Sequence, residues 1–335
     1  VNCAVLWSEK PFQELTGGEV FSLMRLRSEV FVVEQNCVYL DLDDKDAQSI
    51  HLFACEDGAV QGAAARAVVR LVPPGVSYEE PSIGRVAIDL ASRGSGLGEE
   101  LMMRAIRACY RTWPGFGIRI SAQQYLIGFY ERLGFSSVGE GYLEDDIPHI
   151  QMFRPWDGLA AWQMRHKAAV QAFAIQLRAL PSGALQGTES RWGGLQVLEH
   201  LMRSEHGTWS YLAKKGQADP AELPVCDVHS DERGIQLVQV LESDARWTDP
   251  TPGGLLSPAP GNQADVEGLV ADWFKAIDAG YDRLGEVYAA PAWWKVQVFK
   301  HPIAGRLGLT DTLAFGVAHV RHHLHQLKRL AESAP

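Results

Sequence analysis

The sequence predicts two domains: an α/β (α+β) domain with a mixed sheet and flanking helices, followed by an all-α, up-down four-helix bundle. The first observation behind this prediction is length, because 335 residues are long for one domain. The second is that strand-like and helix-like segments alternate up to about residue 154. The third is that long helical patterns follow one another after that point. We therefore place the boundary near Pro155 and expect domains of residues 1–154 and 155–335.

The elements of the first half follow in order. The stretch "HLFACEDGAVQGAAARAVV" is typical of two strands around a Glu-Asp-Gly turn, and "SIGRVAIDL" of a third strand. Residues 97–111 carry apolar side chains at helical spacing. "GIRISA" predicts a strand, "YLIGFYERLGF" a short helix that ends at Gly134, and "HIQMFRP" a closing strand. Together they predict the mixed sheet of an α/β domain.

The second half has a different pattern. Four stretches, residues 158–180, about 192–214, 263–289 and 309–332, have helical spacing, and no convincing strand pair is visible. A Pro/Gly-rich segment, residues 248–263, predicts a loop between helices. Four long helices in succession favour an up-down bundle.

The composition limits the possible functions. Charged residues are 21% of the chain and apolar residues 46%, which argues against extensive disorder. The net charge of −10 makes nucleic acid and anionic membranes unexpected partners. Five widely spaced cysteines predict a reduced, cytoplasmic chain. The sequence has no run of about 20 apolar residues, which a membrane span would require.

The most informative stretch is "RVAIDLASRGSGLGEELMMRAI", in which a strand, a glycine-rich loop and a helix follow directly on one another. Glycines allow backbone N–H groups to approach a ligand, and a helix N-terminus attracts negative charge. Arg93 offers a guanidinium that can pair with a phosphate. These residues alone are also compatible with a tight turn before an ordinary helix.

The spacing of Arg93, Gly96 and Gly98 resembles the Arg-x-x-Gly-x-Gly pyrophosphate motif of the GNAT N-acetyltransferases. "AQQYLIGFYERLGF" resembles the next motif of that family. "RSEVFVVEQNCVYLDLDDKD" and "EDDIPHIQM" are similar to its ElaA-type members. The resemblance covers residues 1–154 almost continuously and implies an enzyme that uses acetyl-CoA or another acyl-CoA.

The resemblance also implies roles for individual residues. Tyr130 corresponds to a tyrosine that protonates the departing CoA thiolate, a role that suits its chemistry. Backbone groups around Val86 and Ile88 would pair with the pantetheine arm. The pyrophosphate would lie against the amides of the loop and the first helical turn: Arg93, Gly94, Ser95, Gly96, Leu97 and Gly98.

The acyl acceptor is less well defined. A small-molecule amine could be bound by residues before and within an acidic run, although such a run is also typical of a solvated loop. The general base could be Glu34 or a chain of waters. The residues that could line this pocket are Arg25, Arg27, Glu34, Gln35, Asp41, Asp43, Asp44 and Asp46.

The last helical stretch, "AFGVAHVRHHLHQLKRL", contains four histidines. His319 and His323 lie one turn apart, the spacing that two ligands of one metal ion require. The apolar stripe of this helix predicts that His322 faces solvent and that His325 lies near the other edge. A surface or capping role is the alternative for such a pair. A third ligand must come from another helix, where His200 and His206 are available.

The second half resembles the DinB-like metal-dependent bundles, both around His200 and over "KHPIAGRLGLTDTLAFGVAHVRHHLHQ". That resemblance covers about residues 156–332 and implies metal ligands at His200, His319 and His323. Zn²⁺, Ni²⁺ and Fe²⁺ all suit three imidazoles with an open position. Several members of that family use low-molecular-weight thiols. The nearby His301 is expected to shape the entry to the last helix.

Three functional hypotheses follow. In the first, the chain is an acyl-CoA-dependent N-acyltransferase acting on a small amine, and the bundle is a second module. In the second, the bundle carries the main activity as a metal-dependent thiol transferase or hydrolase. In the third, the bundle is a non-catalytic module that binds a metal or a small molecule. A low-molecular-weight thiol and a homodimer are left open as partners.

Overall fold

A computed structural model of the chain describes residues 5–56, 64–187, 192–243 and 265–332. The chain divides into two compact units, Val1–Trp156 and Asp157–Pro335, which are treated separately below. None of the helices in the described ranges is long and apolar enough to span a membrane. The predicted loop of residues 248–263 and most of the predicted Glu-Asp-Gly turn lie outside the described residues.

In its described part, the first unit is built on one sheet of seven strands in the order β1-β2-β3-β4-β5-β7-β6. Neighbouring strands are antiparallel, except that β4 and β5 are parallel. This confirms the mixed sheet. The strands are β1 (Val5–Pro11), β2 (Ile50–Glu56), β3 (Ala65–Val72), β4 (Ser82–Ile88), β5 (Ile118–Gln123), β6 (Ser136–Glu144) and β7 (Ile147–Arg154).

Strand β4 is irregular in its second half. Its register with β3 shifts near Arg85, which has a positive φ of 54°. Such a bulge bends a strand and redirects its side chains. The one pair recorded between β4 and β5 among the described residues joins Ser82 to Arg119, near the start of both strands. The second half of β4 is therefore not paired with β5 within the described chain.

Helices pack on this sheet. Helix α1 (Gly17–Arg27) begins with a capping box between Thr16 and Glu19 and continues as a π-helical stretch, Ser28–Glu34. Helix α2 (Leu97–Thr112) follows the glycine-rich loop, and the short α3 (Ile127–Arg132) ends before Gly134, which has a φ of 85°. One core cluster joins α1 and the π-helical stretch to the sheet: Leu23, Leu26, Val30, Phe53, Ala65, Val68 and Ala87.

Three elements of the first unit, β1, α1 and β6, are absent from the sequence prediction. Strand β6 is mostly exposed and contains two glycines, so its sequence lacks the alternation that marks a half-buried strand. Helix α1 begins with two glycines, and β1 contains Ser, Glu, Lys and Pro in succession. Tertiary packing decides these segments more than local pattern does.

The Arg27 side chain is completely buried and organises the segment that follows α1. Its Nε donates a hydrogen bond to Asp41 Oδ2 at 2.9 Å, and its Nη1 donates to Asp46 Oδ1 at 2.6 Å. Both aspartates are also buried. A buried guanidinium is tolerated only with such partners, so the fold of this segment depends on these ion pairs.

Two further arginines on the sheet extend the cluster. Arg70 of β3 lies 2.6 Å from an oxygen of Asp43 and 3.0 Å from one of Asp46, and Arg85 of β4 lies 2.6 Å from Asp41. The expectation of a solvated loop is therefore wrong for Asp41 and Asp46, which are buried, while the amine pocket stays a prediction. Arginines on α1, β3 and β4 form ion pairs with the carboxylates of Asp41, Asp43 and Asp46.

The ion cluster also makes stability depend on pH. Burial opposes ionisation of Asp46, but hydrogen bonds and charge from Arg27 and Arg70 outweigh it and lower its pKa to about 2. A depressed folded-state pKa stabilises the fold above the ordinary aspartate value. This contribution should disappear as the pH falls from about 4 towards 2.

The second unit is mainly helical. Helix α4 packs against the helices α8 and α9, and α6 packs against the same two, while α7 lies on α9. Its helices are α4 (Leu159–Arg178), α5 (Ser182–Gln186), α6 (Gly194–Lys215), α7 (Val228–Glu242), α8 (Val266–Val287) and α9 (Leu309–Glu332). The four predicted helical stretches correspond to α4, α6, α8 and α9.

Two features of this unit correct the prediction. Helix α7 is a further long helix, and β8 (Gln297–His301) pairs with β9 (Gly305–Gly308) in a short antiparallel hairpin. Because α7 covers α9, His322 does not face solvent as predicted. It is 7% exposed, and its Nδ1 lies 3.0 Å from the Leu241 carbonyl of α7.

We expect Arg27→Met to destabilise the first unit by about 3 kcal/mol, because two buried carboxylates lose a partner. Arg25→Met is the matched control on the same helix, since Arg25 and Glu29 form an exposed pair whose loss should cost less than about 1 kcal/mol. Urea unfolding of both full-length variants at neutral pH measures the difference. Equal effects would show that the buried cluster does not stabilise the fold.

Candidate active site and candidate metal centre

The loop between β4 and α2 has the geometry of an anion cradle. Gly94 and Gly96 have φ values of 75° and 91°, a region that side chains with a Cβ rarely adopt. Gly96 is the N-cap of α2 and supplies no side-chain hydrogen bond to the first turn. Among the described residues, no side chain caps this helix, so its first N–H groups are available to a ligand.

Arg93 and Glu34 form an ion pair with two hydrogen bonds. Nη1 and Nη2 of Arg93 each donate to one Glu34 oxygen at 2.7 Å, and Nε donates to the Ile88 carbonyl at 3.2 Å. The hydrogen bond from Arg93 lowers the pKa of Glu34. While this pair persists, Glu34 is a weaker base and Arg93 is not available to a phosphate.

Tyr130 lies on α3 and is 7% exposed. Its ring packs edge-on against Phe129 and Phe135. Burial raises the pKa of Tyr130 to about 12, so the hydroxyl keeps its proton throughout the physiological range. A protonated phenol can act as a proton donor. Gln35, another predicted acceptor-site residue, accepts a hydrogen bond from Gln123 at 3.2 Å.

In the second unit, three histidines from two helices converge. Nε2 of His200 on α6 lies 3.3 Å from Nε2 of His319 on α9, and Nε2 of His323 lies 3.2 Å from the same atom. Their ligand atoms all lie within 4.8 Å of one another, and this is the one such cluster found among the described residues. The three predicted ligands are thus brought together, while His206 is exposed on α6.

The environment of the cluster favours neutral imidazoles. Burial, together with the neighbouring histidines, lowers the pKa of His319 well below its usual value and that of His323 to about 3. Gln326 Oε1 lies 2.7 Å from His323 Nδ1, which directs the proton to Nδ1 and leaves a lone pair on Nε2. Phe315 stacks on His319 at 5.4 Å.

His301 has a structural role, as its position suggests. Its Nδ1 accepts hydrogen bonds from the backbone N–H groups of Ile303 and Ala304, at 3.3 and 3.0 Å. It therefore holds the turn of the β8–β9 hairpin. Burial lowers its pKa to about 4.

A second polar cluster in this unit has no counterpart in the sequence prediction. His166 of α4 places Nε2 at 2.8 Å from Glu205 Oε1 of α6. Trp273 Nε1 of α8 donates to the other oxygen of Glu205 at 2.7 Å. These residues come from three helices and have no motif spacing, so only the folded chain brings them together.

Comparison with known proteins shows the family to which the first unit belongs. Residues 29–154 match the family model of the acetyltransferase (GNAT) domain. A UPF0039 protein from Synechocystis is 41% identical over 146 residues, covering 44% of this chain and 92% of the relative. Protein ElaA of Escherichia coli is 35% identical over 150 residues, covering 44% of this chain and 95% of the relative.

Two crystal structures are similar to the same share of the chain. An acyl-CoA N-acyltransferase from Pseudomonas aeruginosa is 43% identical and covers 45% of this chain and 99% of its own, with a TM-score of 0.42. Escherichia coli ElaA is 34% identical, with coverages of 45% and 99% and a TM-score of 0.42.

The family match and the sequence relatives show that the first unit is an acyltransferase, of the class that uses acetyl-CoA or another acyl-CoA. Through its first unit, the chain belongs to the GNAT family of acetyltransferases, and its relatives there include ElaA. The predicted resemblance of the first half is confirmed.

We expect Gly96→Val to weaken acetyl-CoA binding at least about tenfold, because the added side chain strains the loop and displaces its amides. Gly75→Val is the matched control, since Gly75 also has a positive φ, 83°, and open space around it. Each substitution should cost about 1–2 kcal/mol of stability. Isothermal titration of both variants measures the affinities, and equal losses would exclude the loop as the binding site.

Proposed function

We propose that the first unit transfers an acyl group from an acyl-CoA to the amino group of a small molecule. The observation that carries the proposal is the open cradle of Gly94 and Gly96 at the uncapped start of α2. Its backbone N–H groups, from Arg93 to Gly98, suit a pyrophosphate. The second half of β4, with Val86 and Ile88, pairs with β3 but has no recorded pair with β5 among the described residues, so its β5 side suits the amides of an extended arm.

Tyr130 and Glu34 would then divide the proton transfers. The amine nitrogen attacks the thioester carbonyl, the C–S bond breaks, and the thiolate takes its proton from the hydroxyl of Tyr130. The amine loses its extra proton to a base. A phosphate that binds Arg93 would release Glu34, whose pKa would then return towards the usual range, and Glu34 would serve as that base.

Replacement of Tyr130 tests this assignment. Tyr130→Phe should slow CoA release about 100-fold or more, because the thiolate loses its proton donor. Tyr125→Phe should change it less than about twofold, since Tyr125 is 75% exposed. The assay is thiol release from acetyl-CoA with a panel of small primary amines. A Tyr130→Phe enzyme as fast as the control would remove Tyr130 from the mechanism.

We further propose that the second unit is a DinB-like four-helix bundle that holds a divalent metal at His200, His319 and His323. The packing of α4, α6, α8 and α9 supports a bundle, since each of these helices contacts two of the others. The ligands would come from the second and last long helices, as in the family that the sequence resembles. Helix α7 and the hairpin would be additions to that bundle.

The donor set fits a metal ion. Tetrahedral Zn²⁺ with ligands at about 2.0–2.1 Å requires nitrogens about 3.3–3.4 Å apart. Two of the three Nε2 pairs, His319–His323 and His200–His319, are close to this spacing at 3.2 and 3.3 Å, and all three ligand atoms lie within 4.8 Å of one another. Gln326 would orient His323 from outside the ligand shell. When bound, the metal would act as a Lewis acid.

A metal ion held by three protein ligands keeps an open position, which suits a role in handling small molecules. A thiol-dependent transferase or a hydrolase is one such role, and a non-catalytic binding module is the other. The thiol, the homodimer and the cytoplasmic location stay predictions.

Metal analysis tests the proposed ligands. The purified chain should contain about one divalent metal ion, and His319→Ala combined with His323→Ala should remove it, since one imidazole alone binds weakly. His325→Ala, on the same helix but outside the cluster, should retain the metal. Elemental analysis of the three proteins after dialysis gives the result. Metal that survives the double substitution would exclude this site.

A further inference from the structure

Arg85 in the first unit has a backbone conformation that its residue type rarely adopts. Its φ of 54° lies in the left-handed region, where a side chain with a Cβ is crowded. The other non-glycine residues with a positive φ in the described chain are Asn36, Asp145 and Asp146, whose types enter this region more readily. A residue in such a strained conformation persists only where its surroundings hold it, and functional sites are rich in such residues.

The strained residue belongs to a bulge in β4. Gly84 and Ala87 both pair with β3, and β3 has only Val69 between their partners. In β4 the same interval holds two residues, Arg85 and Val86. A bulge with a residue in the left-handed conformation normally has glycine at that position. Since glycine would adopt this conformation without strain, an arginine there has to be held by the contacts of its side chain.

The side chain of Arg85 is fixed by Asp41. Its Nε lies 2.6 Å from Asp41 Oδ1, and its Nη2 donates a hydrogen bond to the Asp41 carbonyl at 3.2 Å. The guanidinium also lies over the ring of Tyr39, 5.5 Å from the ring centre, and the Tyr39 hydroxyl donates to Asp41 Oδ1 at 3.0 Å. Asp41 is buried and is held in turn by Arg27. The buried ion cluster therefore gives Arg85 a fixed support.

The bulge lies between the paired and the unpaired parts of β4 on its β5 side. The pair recorded with β5 in the described chain, Ser82 with Arg119, lies before the bulge, and residues 86–88 lie after it. The Ile88 carbonyl accepts a hydrogen bond from Arg93 Nε at 3.2 Å, which joins this end of the strand to the glycine-rich loop. Because a bulge redirects the strand that follows it, this one sets the course of the backbone that leads into the cradle.

We propose that Arg85 is a positioning residue for acyl-CoA: its ion pair with Asp41 maintains the bulge that presents residues 86–88 to the pantetheine arm. Arg85 acts through the backbone that follows it and does not bind the ligand with its own side chain. This inference rests on the proposed function, because it requires that the arm binds along β4. The competing accounts are a bulge held by the pairing with β3 alone and an arginine that binds the ligand directly.

Replacement of Arg85 by alanine and by glycine in the full-length chain separates these accounts. Both substitutions remove the ion pair with Asp41, so both should lower the melting temperature. Only Arg85→Ala leaves a Cβ in the left-handed region, so it should lose the bulge, whereas Arg85→Gly should keep it. Crystal structures without ligand should therefore show a φ near 54° at this position in the glycine variant and not in the alanine variant. An alanine variant that keeps this φ would overturn the proposal.

Isothermal titration with two ligands gives the second readout. Arg85→Ala should weaken acetyl-CoA binding about tenfold, while Arg85→Gly should stay within about twofold of the unmodified chain. ADP has a pyrophosphate but no pantetheine arm, so it should bind equally well to all three proteins. Equal losses of acetyl-CoA affinity in the two variants would show that the side chain itself binds the ligand. No loss in either variant would show that the bulge has no role in binding, and each of these results overturns the proposal.

Failure of this inference differs from failure of the proposed function. If the unmodified chain and the alanine variant bind acetyl-CoA equally well, the cradle stands and the role of Arg85 does not. If the unmodified chain does not bind acetyl-CoA, the proposed function fails and the positioning role fails with it. The bulge is then purely structural, even if the alanine variant loses it.

Discussion

Burial of a polar group without a partner is the constraint on which both units depend. In the first unit, the buried guanidinium of Arg27 requires Asp41 and Asp46, and this requirement folds the segment after α1 against the sheet. In the second unit, the buried nitrogens of His200, His319 and His323 lie within 4.8 Å of one another, an arrangement that could hold a metal ion. The same rule thus explains a stabilising cluster in one unit and indicates a binding site in the other.

The constraint also separates groups that support the fold from groups that are available to ligands. Tyr288 and His301 have their hydrogen bonds completed by backbone groups, so their contribution is structural. The Tyr281 hydroxyl and Trp209 Nε1 are buried atoms without a hydrogen-bond partner within the described residues. Arg93 is intermediate, because its pair with Glu34 is partly exposed and a phosphate can compete for it. Availability, rather than residue type alone, therefore identifies the functional groups.

Much of the first unit could be predicted because its signals are local. Gly94 and Gly96 have φ values of 75° and 91°, a region that strongly favours glycine, and that preference is visible in the sequence. The spacing of His319 and His323 is equally local. Helix α7 had a signal of this kind, the capping box between Asp227 and Ser230, which the prediction did not use.

Other features could not be predicted, since they depend on residues far apart in the chain. The contact between His166 and Glu205 joins positions 39 apart on different helices, and neither residue has a diagnostic neighbour. The ion pairs of the acidic run depend on arginines on three separate elements. The burial of His322 depends on α7, which the sequence analysis did not predict. Without α7, the side of α9 that carries His322 was wrongly assigned to solvent.

The central claim is that the histidine cluster of the second unit is a metal centre. Anomalous X-ray scattering at the zinc edge, from a crystal of the full-length chain grown with Zn²⁺, tests it most directly. The account predicts one strong peak at about 2.0–2.1 Å from Nε2 of each of His200, His319 and His323. A crystal with no peak there, or with the three imidazoles hydrogen-bonded to one another around an empty centre, would contradict it.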